Sequence, residues 1–323
     1  MCTAVSFQSK DHYFGRNLDV ECSYGEKIVI TPRKYPFNFR FEKSRENHYA
    51  IIGMGIVADS YPLYFDATNE KGLSMAGLNF PETADYEEPT EDKHNIGVFE
   101  LIPWVLSSCS SVDEAKDLLQ KTNIVAMDFN EEYHSTPLHW MISDRDYSIT
   151  VECVEKGLKI YYNPVHVLTN NPEFPMQMFN LNNYMSLTRE EPETRFAEGF
   201  DFYKYSRGMG TLGMPGDLSS MSRFVRASFT RLNSVCGETE SESVSQFFHI
   251  LNSVAQTRGC VRVEDSFEIT SYASCCNTDK GVYYYKTYEN SQISAVDLHR
   301  ENLDRNGLII YNLVNEQQVN YQN

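Results

Sequence analysis

The chain opens on short apolar runs broken by turn residues, not on helical spacing. Thr3-Ala4-Val5-Ser6-Phe7 sets small, β-branched and aromatic residues together, Ser9-Lys10-Asp11-His12 interrupts them, and Tyr13-Phe14-Gly15-Arg16 resumes. This pattern predicts strand, turn and return strand. Ile28-Val29-Ile30 and Ala50-Ile51-Ile52 predict two more strands. Residues 63–68 and 73–78 flank Asn69-Glu70-Lys71-Gly72, a hairpin pattern with Gly where a positive φ is needed.

Helical spacing comes later. Residues 99–106 carry an apolar face, and Pro103 is compatible with a helix there only in its first turn. Ser111-Val112-Asp113-Glu114 has the form of a capping box and predicts a helix running through Leu118 and Leu119. Strands return at 139–142, 148–154 and 158–162. Helices are predicted over 224–232 and 244–254, and a strand again over 282–285. Strands at both ends with helices between them point to layered sheets covered by helices, not to a βαβ repeat.

Composition narrows the class. A chain of 323 residues that is 41% hydrophobic can bury a large core. It has no Pro-, Gly- or Ser-rich linker, no low-complexity tract and no solenoid repeat, so one domain over 1–323 is expected. The net charge of -17, from 45 acidic and 28 basic residues, runs against nucleic-acid binding, which needs clustered Lys and Arg. No apolar run approaches the ~20 residues needed to span a bilayer. A basic leader with an apolar segment is also missing, so a cytoplasmic location without membrane partners is expected.

The 8 cysteines should then be thiols. Adjacent Cys275 and Cys276 lack a second close pair or a His cluster, so they read as buried structural thiols and no metal is expected. The 8 His residues show no HExxH spacing. His134 and His139 are assigned to loop or core, not to catalysis. There is no GxSxG elbow and no P-loop.

Cys2 is the first residue with chemical promise. Methionine aminopeptidase removes Met1 readily when the next side chain is small, which leaves a thiol and a free α-amine on one residue. An α-amine has a pKa of about 7.7–8.0, so it can accept the thiol proton near neutral pH. On position alone Cys2 is an ordinary terminal residue. The strand that follows could anchor it in a cleft, and the return segment brings Arg16 and Asp19 back toward it. There Arg16 would favour the thiolate and Asp19 would orient the amine, although the same two residues also read as a surface pair on a hairpin. Asn79 and Asn170 each end an apolar segment, where an Asn amide suits an oxyanion or, more ordinarily, a turn. Arg223 reads as a solvated helix residue or as a second cation in the cleft.

Together these segments resemble the choloylglycine hydrolases, the N-terminal-nucleophile family that includes bile salt hydrolases and penicillin V acylases. The resemblance covers nearly the whole chain. It rests on Met-Cys-Thr at 1–3, Phe-Gly-Arg-Asn-Leu-Asp at 14–19, Ile-Thr-Pro-Arg at 30–33, Asn-Glu-Lys-Gly-Leu at 69–73, Ala-Gly-Leu-Asn-Phe at 76–80, Val-Leu-Thr-Asn-Asn-Pro at 167–172 and Gly-Asp-Leu-Ser-Ser-Met-Ser-Arg-Phe at 216–224.

The resemblance implies an α+β fold, a four-layer αββα sandwich, and amide hydrolysis with no metal or other cofactor. It matches Cys2 to the nucleophile and Arg16 and Asp19 to the residues that hold and activate it. Asn79 and Asn170 match polar groups around the oxyanion, and Arg223 matches a second active-site Arg. Asn170 is preferred to Asn171, and Arg223 to Arg226. Asn79, where penicillin V acylases commonly carry Tyr, favours glycine- or taurine-conjugated bile salts. Val20, Tyr24 and Phe65 lie on segments that line the steroid pocket of relatives, and a homotetramer is implied. A penicillin V acylase or N-acyl-homoserine-lactone acylase is the alternative within the family. A non-catalytic bile-acid or lipid-binding protein is the alternative outside it.

Overall fold

The computed structural model describes residues 1–323. The strands β1 (Cys2–Gln8) and β2 (His12–Val20) form the predicted opening hairpin, and β3 (Lys27–Thr31), β4 (Ile51–Ala58), β5 (Tyr61–Asn69) and β6 (Ser74–Asn79) follow. A short parallel pair, β7 (His94–Gly97) and β8 (Thr122–Val125), brackets helices α1 (Leu101–Leu106) and α2 (Val112–Leu119). Next come β9 (Leu138–Ser143), β10 (Ser148–Val154), β11 (Gly157–Tyr162) and β12 (Val167–Leu168). Helices α3 (Phe174–Asn180), α4 (Ser220–Asn233) and α5 (Glu240–Asn252) follow them. A small hairpin, β13 (Arg262–Val263) with β14 (Ser266–Phe267), precedes β15 (Ile269–Asn277), β16 (Val282–Thr287), β17 (Ser294–Asp297) and β18 (Ile309–Asn312).

Two antiparallel sheets carry the fold. One has six strands in the order β12-β1-β2-β15-β16-β17, and the other eight in the order β11-β10-β9-β6-β5-β4-β3-β18. Their facing sides meet in one apolar core that includes Val5, Phe14, Leu78 and Met141 and continues through the six-stranded sheet to Phe224 and Phe247 on α4 and α5. A second core lies on the far side of the eight-stranded sheet, where Ile51, Met75 and Trp140 pack against Leu101, Val105 and Ala115 of α1 and α2. The layers are therefore helix, sheet, sheet, helix: the expected αββα sandwich of the α+β class.

Several boundaries differ from the sequence reading for identifiable reasons. The strand expected over 13–16 runs on to Val20 because Arg16, Asn17 and Asp19, polar but buried, find partners across the core. β15 was not anticipated, since its Ser, Thr, Ala and Cys residues lack the usual strand signature; it holds Cys275 and Cys276 as buried thiols. Helix α4 starts at Ser220, earlier than expected, because Ser219 caps it by accepting the Ser222 amide. At α2 the capping box is half-formed. Ser111 Oγ accepts from Glu114 N at 3.3 Å, but the Glu114 carboxylate turns back to Ser110 N at 2.6 Å. Pro103 is the third residue of α1, inside its first turn as required.

Gly15 shows how closely β2 is seated. A Cβ built there would lie 2.0 Å from the Ser274 carbonyl oxygen of neighbouring β15. Backbone on the adjacent strand cannot yield as a side chain would, so only Gly fits. We expect Gly15→Ala to cost about 3 kcal/mol of stability. Gly216→Ala, where a Cβ meets nothing within 4 Å, should change it by less than about 0.5 kcal/mol. Urea midpoints of the two variants check this, and equal midpoints would contradict it.

Candidate active site

The opening strand places Cys2 at the edge of a cavity between the sheets. Register pairs Cys2 with Leu18 and Ala4 with Arg16 on β2, and Ala4 with Leu168 on β12. Three segments distant in sequence thus meet at the Cys2 end of β1. Cys2 itself is only 3% exposed.

Asn170 and Arg223 grip this residue through its backbone. Cys2 N donates to Asn170 Oδ1 at 2.8 Å. Arg223 Nη1 donates to the Cys2 carbonyl at 2.5 Å and to Thr3 Oγ1 at 2.8 Å, while its Nη2 donates to Asn170 Oδ1 at 2.8 Å. Asn170 also donates from Nδ2 to the Asn79 carbonyl at 2.6 Å, and Ser220 Oγ accepts its backbone N–H at 2.8 Å. Arg223 is fully buried and held by these bonds, so its reading as a solvated helix residue is overturned. The neighbouring candidates point elsewhere. Asn171 reaches Pro81 O and Thr83 Oγ1, and Arg226 reaches Ser253 O, Pro215 O and Asp217 O.

Arg16 approaches from the other side. Its Nη1 donates to Gly77 O at 2.5 Å and to Phe65 O at 3.1 Å, and its buried Nη2 has no protein partner. Burial opposes its charge, but Cys2, Tyr272, Asp66 and Asp19 outweigh that and hold the guanidinium above its ordinary pKa. Arg16 and Asp19 are therefore no exposed hairpin pair: both are buried. Asp19 Oδ1 accepts from Thr270 Oγ1 at 2.6 Å; Oδ2 has no hydrogen bond and lies 3.9 Å from Arg223 Nη1. Burial pushes the Asp19 carboxyl up to about 6, against the pull of Arg223 and the Thr270 hydroxyl. The Met1 α-ammonium is bound by the Asp19 carbonyl at 2.6 Å and by the Glu268 carboxylate.

The cavity beyond Cys2 measures about 640 Å³. Arg16, Asp19 and Asn79 line it together with Val20, Tyr24 and Phe65, and its remaining walls include Leu18, Ile56, Leu63, Phe99 and Phe129. The Tyr24 and Phe65 rings stand 6.0 Å apart. A largely apolar volume of this size, with a few polar groups at one end, suits a small amphipathic molecule. No three His, Cys, Asp or Glu side chains stand close enough together to hold a metal ion.

The structure adds partners that the local sequence did not flag. Asp66, beneath Arg16, accepts from Tyr272 and Tyr283 hydroxyls at 2.6 Å each and from Ser274 Oγ at 3.1 Å. The one available signal was a charged residue inside the apolar run Leu63-Tyr64-Phe65-Asp66-Ala67. Thr3, Thr270 and Glu268 carried no signal, because their roles depend on which strands become neighbours.

Comparison with known proteins shows the family and the fold. The family described as linear amide C–N hydrolases, choloylglycine hydrolase family, matches residues 2–311. The bile salt hydrolase/transferase of Lactiplantibacillus plantarum is 57% identical over 98% of both chains. A crystal structure of a mutant conjugated bile acid hydrolase from Clostridium perfringens superposes with a TM-score of 0.93 at 40% identity over 100% of both chains. Penicillin V acylase from Agrobacterium tumefaciens shares the fold, with a TM-score of 0.75 at 19% identity over 97% of this chain and 91% of that one. With a buried Cys2 held by Asn170 and Arg223, and a family match across residues 2–311, the chain belongs to the choloylglycine hydrolase family.

Proposed function

We propose that this protein is a bile salt hydrolase that cleaves the amide between a bile acid and glycine or taurine, with Cys2 as nucleophile after loss of Met1. The convergence of Cys2, Asn170, Arg223 and Asp19 at the polar end of an apolar cavity carries this reading. Two relatives named for bile salts, at 57% and 41% identity over 98% and 100% of this chain, support the substrate. The steroid body occupies the wall of Val20, Tyr24 and Phe65, and the amide carbonyl reaches Cys2.

The steps follow from the groups present. Removal of Met1 turns the Cys2 amide nitrogen into an amine that still faces Asn170 Oδ1. That amine takes the thiol proton, and Arg16 Nη2, free of protein partners, stabilises the thiolate. Sγ attacks the carbonyl carbon, and the developing oxyanion is held by the Asn79 amide. Asn170 spends its oxygen on Cys2 and Arg223 and an N–H on the Asn79 carbonyl. We therefore place it behind the oxyanion donor as the residue that aims both partners. The amine passes its proton to the leaving glycine or taurine nitrogen, and the bile acid remains as a thioester. Water, activated by the same amine, then releases the acid.

The name of the Lactiplantibacillus plantarum relative also includes transferase. The same thioester could pass its acyl group to an amino acid in place of water, so this activity belongs to the proposal. We assign the enzyme to the cytoplasm; no helix is long and apolar enough to cross a membrane.

We also propose a homotetramer. Residues 181–217 form an excursion with exposed aromatic side chains, among them Phe196, Tyr203 and Tyr205 at 80%, 85% and 70% exposure, and such a patch marks an interaction surface.

Three outcomes are expected. Protein proven by intact mass to lack Met1 should release glycine from glycocholate and taurine from taurocholate faster than it cleaves the side-chain amide of penicillin V. Cys2→Ser should lower this turnover by about 100-fold or more, because an alcohol is a poorer nucleophile near neutral pH. No release from any bile salt by the folded, processed protein overturns the assignment.

The second outcome concerns pH. Asp19 is ionised only above its raised pKa of about 6, and the ionised form is the one that attracts Arg223 and, in this proposal, orients the Cys2 amine. The kcat/KM profile should therefore fall as pH drops through about 6. Asp19→Asn should be weakly active without that limb, and an unchanged limb contradicts the role.

Third, light scattering should give a mass near four times that of the chain, and a monomer at micromolar concentration contradicts the tetramer.

A further inference from the structure

Outside the groups used above, the most completely enclosed ionisable pair is His139 on β9 with Glu152 on β10, both side chains having no exposure. His139 Nδ1 lies 3.1 Å from Glu152 Oε1, and Nε2 lies 2.9 Å from the Thr169 carbonyl oxygen. A carbonyl oxygen only accepts, so Nε2 must carry a proton. Nδ1 faces a carboxylate that already accepts the Phe174 N–H on both oxygens, at 3.0 and 3.2 Å. The pair therefore holds two protons on or between the ring nitrogens and the carboxylate, as an imidazolium–carboxylate pair does.

The hydrogen-bond partners of this pair flank Asn170. Thr169 immediately precedes Asn170, and Phe174 begins α3 just after it. Glu152 and His139 thus tie down the two ends of the segment 169–174. The His139 ring also stacks on Phe80, at 4.2 Å between centroids and 8° between planes. Phe80 follows Asn79, and β6 pairs Leu78 with His139 and Asn79 with Leu138 on β9. One imidazole therefore contacts the neighbours of Asn79 and of Asn170, whose own mutual bond spans 2.6 Å.

We propose that the His139–Glu152 pair is a positioning unit for the reaction, setting the spacing of Asn170 and Asn79 and so the aim of the Cys2 amine relative to the oxyanion donor. This rests on the hydrolase reading above. Neither residue of the pair lines the cavity, so its loss should act on turnover and not on substrate affinity. Loss of the Thr169 bond frees the Asn170 segment, and a displacement of about 1 Å at a reacting group can cost about 100-fold in rate. Gln at 152 keeps the shape. Its amide oxygen can take the Phe174 N–H and its amide nitrogen can donate to Nδ1, leaving a neutral ring that still donates to Thr169.

The test compares His139→Phe, which preserves the ring stack on Phe80, with Glu152→Gln, in processed enzyme acting on glycocholate. For His139→Phe, kcat should fall about 30- to 100-fold, with KM changed less than about threefold. Glu152→Gln should keep kcat within about fivefold of the parent enzyme. Nitrogen-15 NMR of the parent protein should show a slowly exchanging His139 Nε2–H, held by the Thr169 carbonyl, and Glu152→Gln should retain it. A kcat for His139→Phe within about threefold of the parent, or a loss that appears mainly in KM, overturns the positioning role. If His139→Phe does not fold, a Glu152→Gln enzyme as impaired as Cys2→Ser, or a parent enzyme whose His139 Nε2 carries no proton toward Thr169, overturns it instead. Parent enzyme without bile salt turnover would defeat the substrate assignment, whereas the NMR arm tests the pair without any substrate.

Discussion

Arg16 leaves the six-stranded sheet on β2 and ends on the other sheet, giving its Nη1 to the carbonyls of Phe65 on β5 and Gly77 on β6. Asp66 reaches the opposite way, from β5 to the hydroxyls of Tyr272 and Ser274 on β15 and Tyr283 on β16. Ser274 Oγ in turn accepts the Arg16 backbone N–H at 3.1 Å. The two charges therefore cross-brace the sheets at the level of Cys2. Moving either into a low-dielectric core costs several kcal/mol unless its partners are in place. The brace forms only when the sheets meet in one register, and that register is also the one that opens the cavity beside Cys2.

The balance of charge explains how so many ionisable groups stay buried in one place. Arg16 and Arg223 stand against Asp19, Asp66 and Glu268, and the terminal ammonium adds a further positive charge. Burial lowers the pKa of Arg223 and raises those of Asp19 and Asp66, each shift being limited by the opposite charges nearby. Most of these groups are anchored to neutral donors and acceptors as well, which keeps them from collapsing into simple ion pairs. Arg16 Nη2 and Asp19 Oδ2 are left without hydrogen bonds. A buried polar atom left so is expensive in a purely structural setting. Both residues line the cavity that holds Cys2, and in the proposed mechanism a thiolate and an ammonium supply the missing partners.

Around this centre the scaffold is layered in its control of the asparagines. Asn170 contacts Cys2 and Asn79 directly. Ser220 at the start of α4 holds its backbone, and His139 and Glu152 secure the residues on either side. Asn79 and Cys2, the proposed oxyanion donor and nucleophile, come from different sheets, β6 and β1, so their separation depends on the facing of the sheets and on the bridging Asn170. A loop residue can serve with such accuracy because its neighbours are bonded to rigid strands.

The sequence by itself determined the opening hairpin, ten of the eighteen strands and four of the five α-helices, and the motifs that mark the family, and it offered the Cys2 thiol as a candidate. These are local properties: short-range periodicity, turn chemistry and the identity of residue 2. The family resemblance preferred Asn170 to Asn171 and Arg223 to Arg226, but the local pattern held no physical reason for either choice. It also left open whether Arg16 and Asp19 are buried, and gave His139 no place beyond loop or core. Tertiary structure decided all of these for one physical reason. Asn170 and Asn171 have the same chemistry and differ only in direction, as do Arg223 and Arg226, one helical turn apart. Which of them meets Cys2 is set by strands and helices as many as 221 residues apart being brought into contact, and no local pattern encodes that meeting.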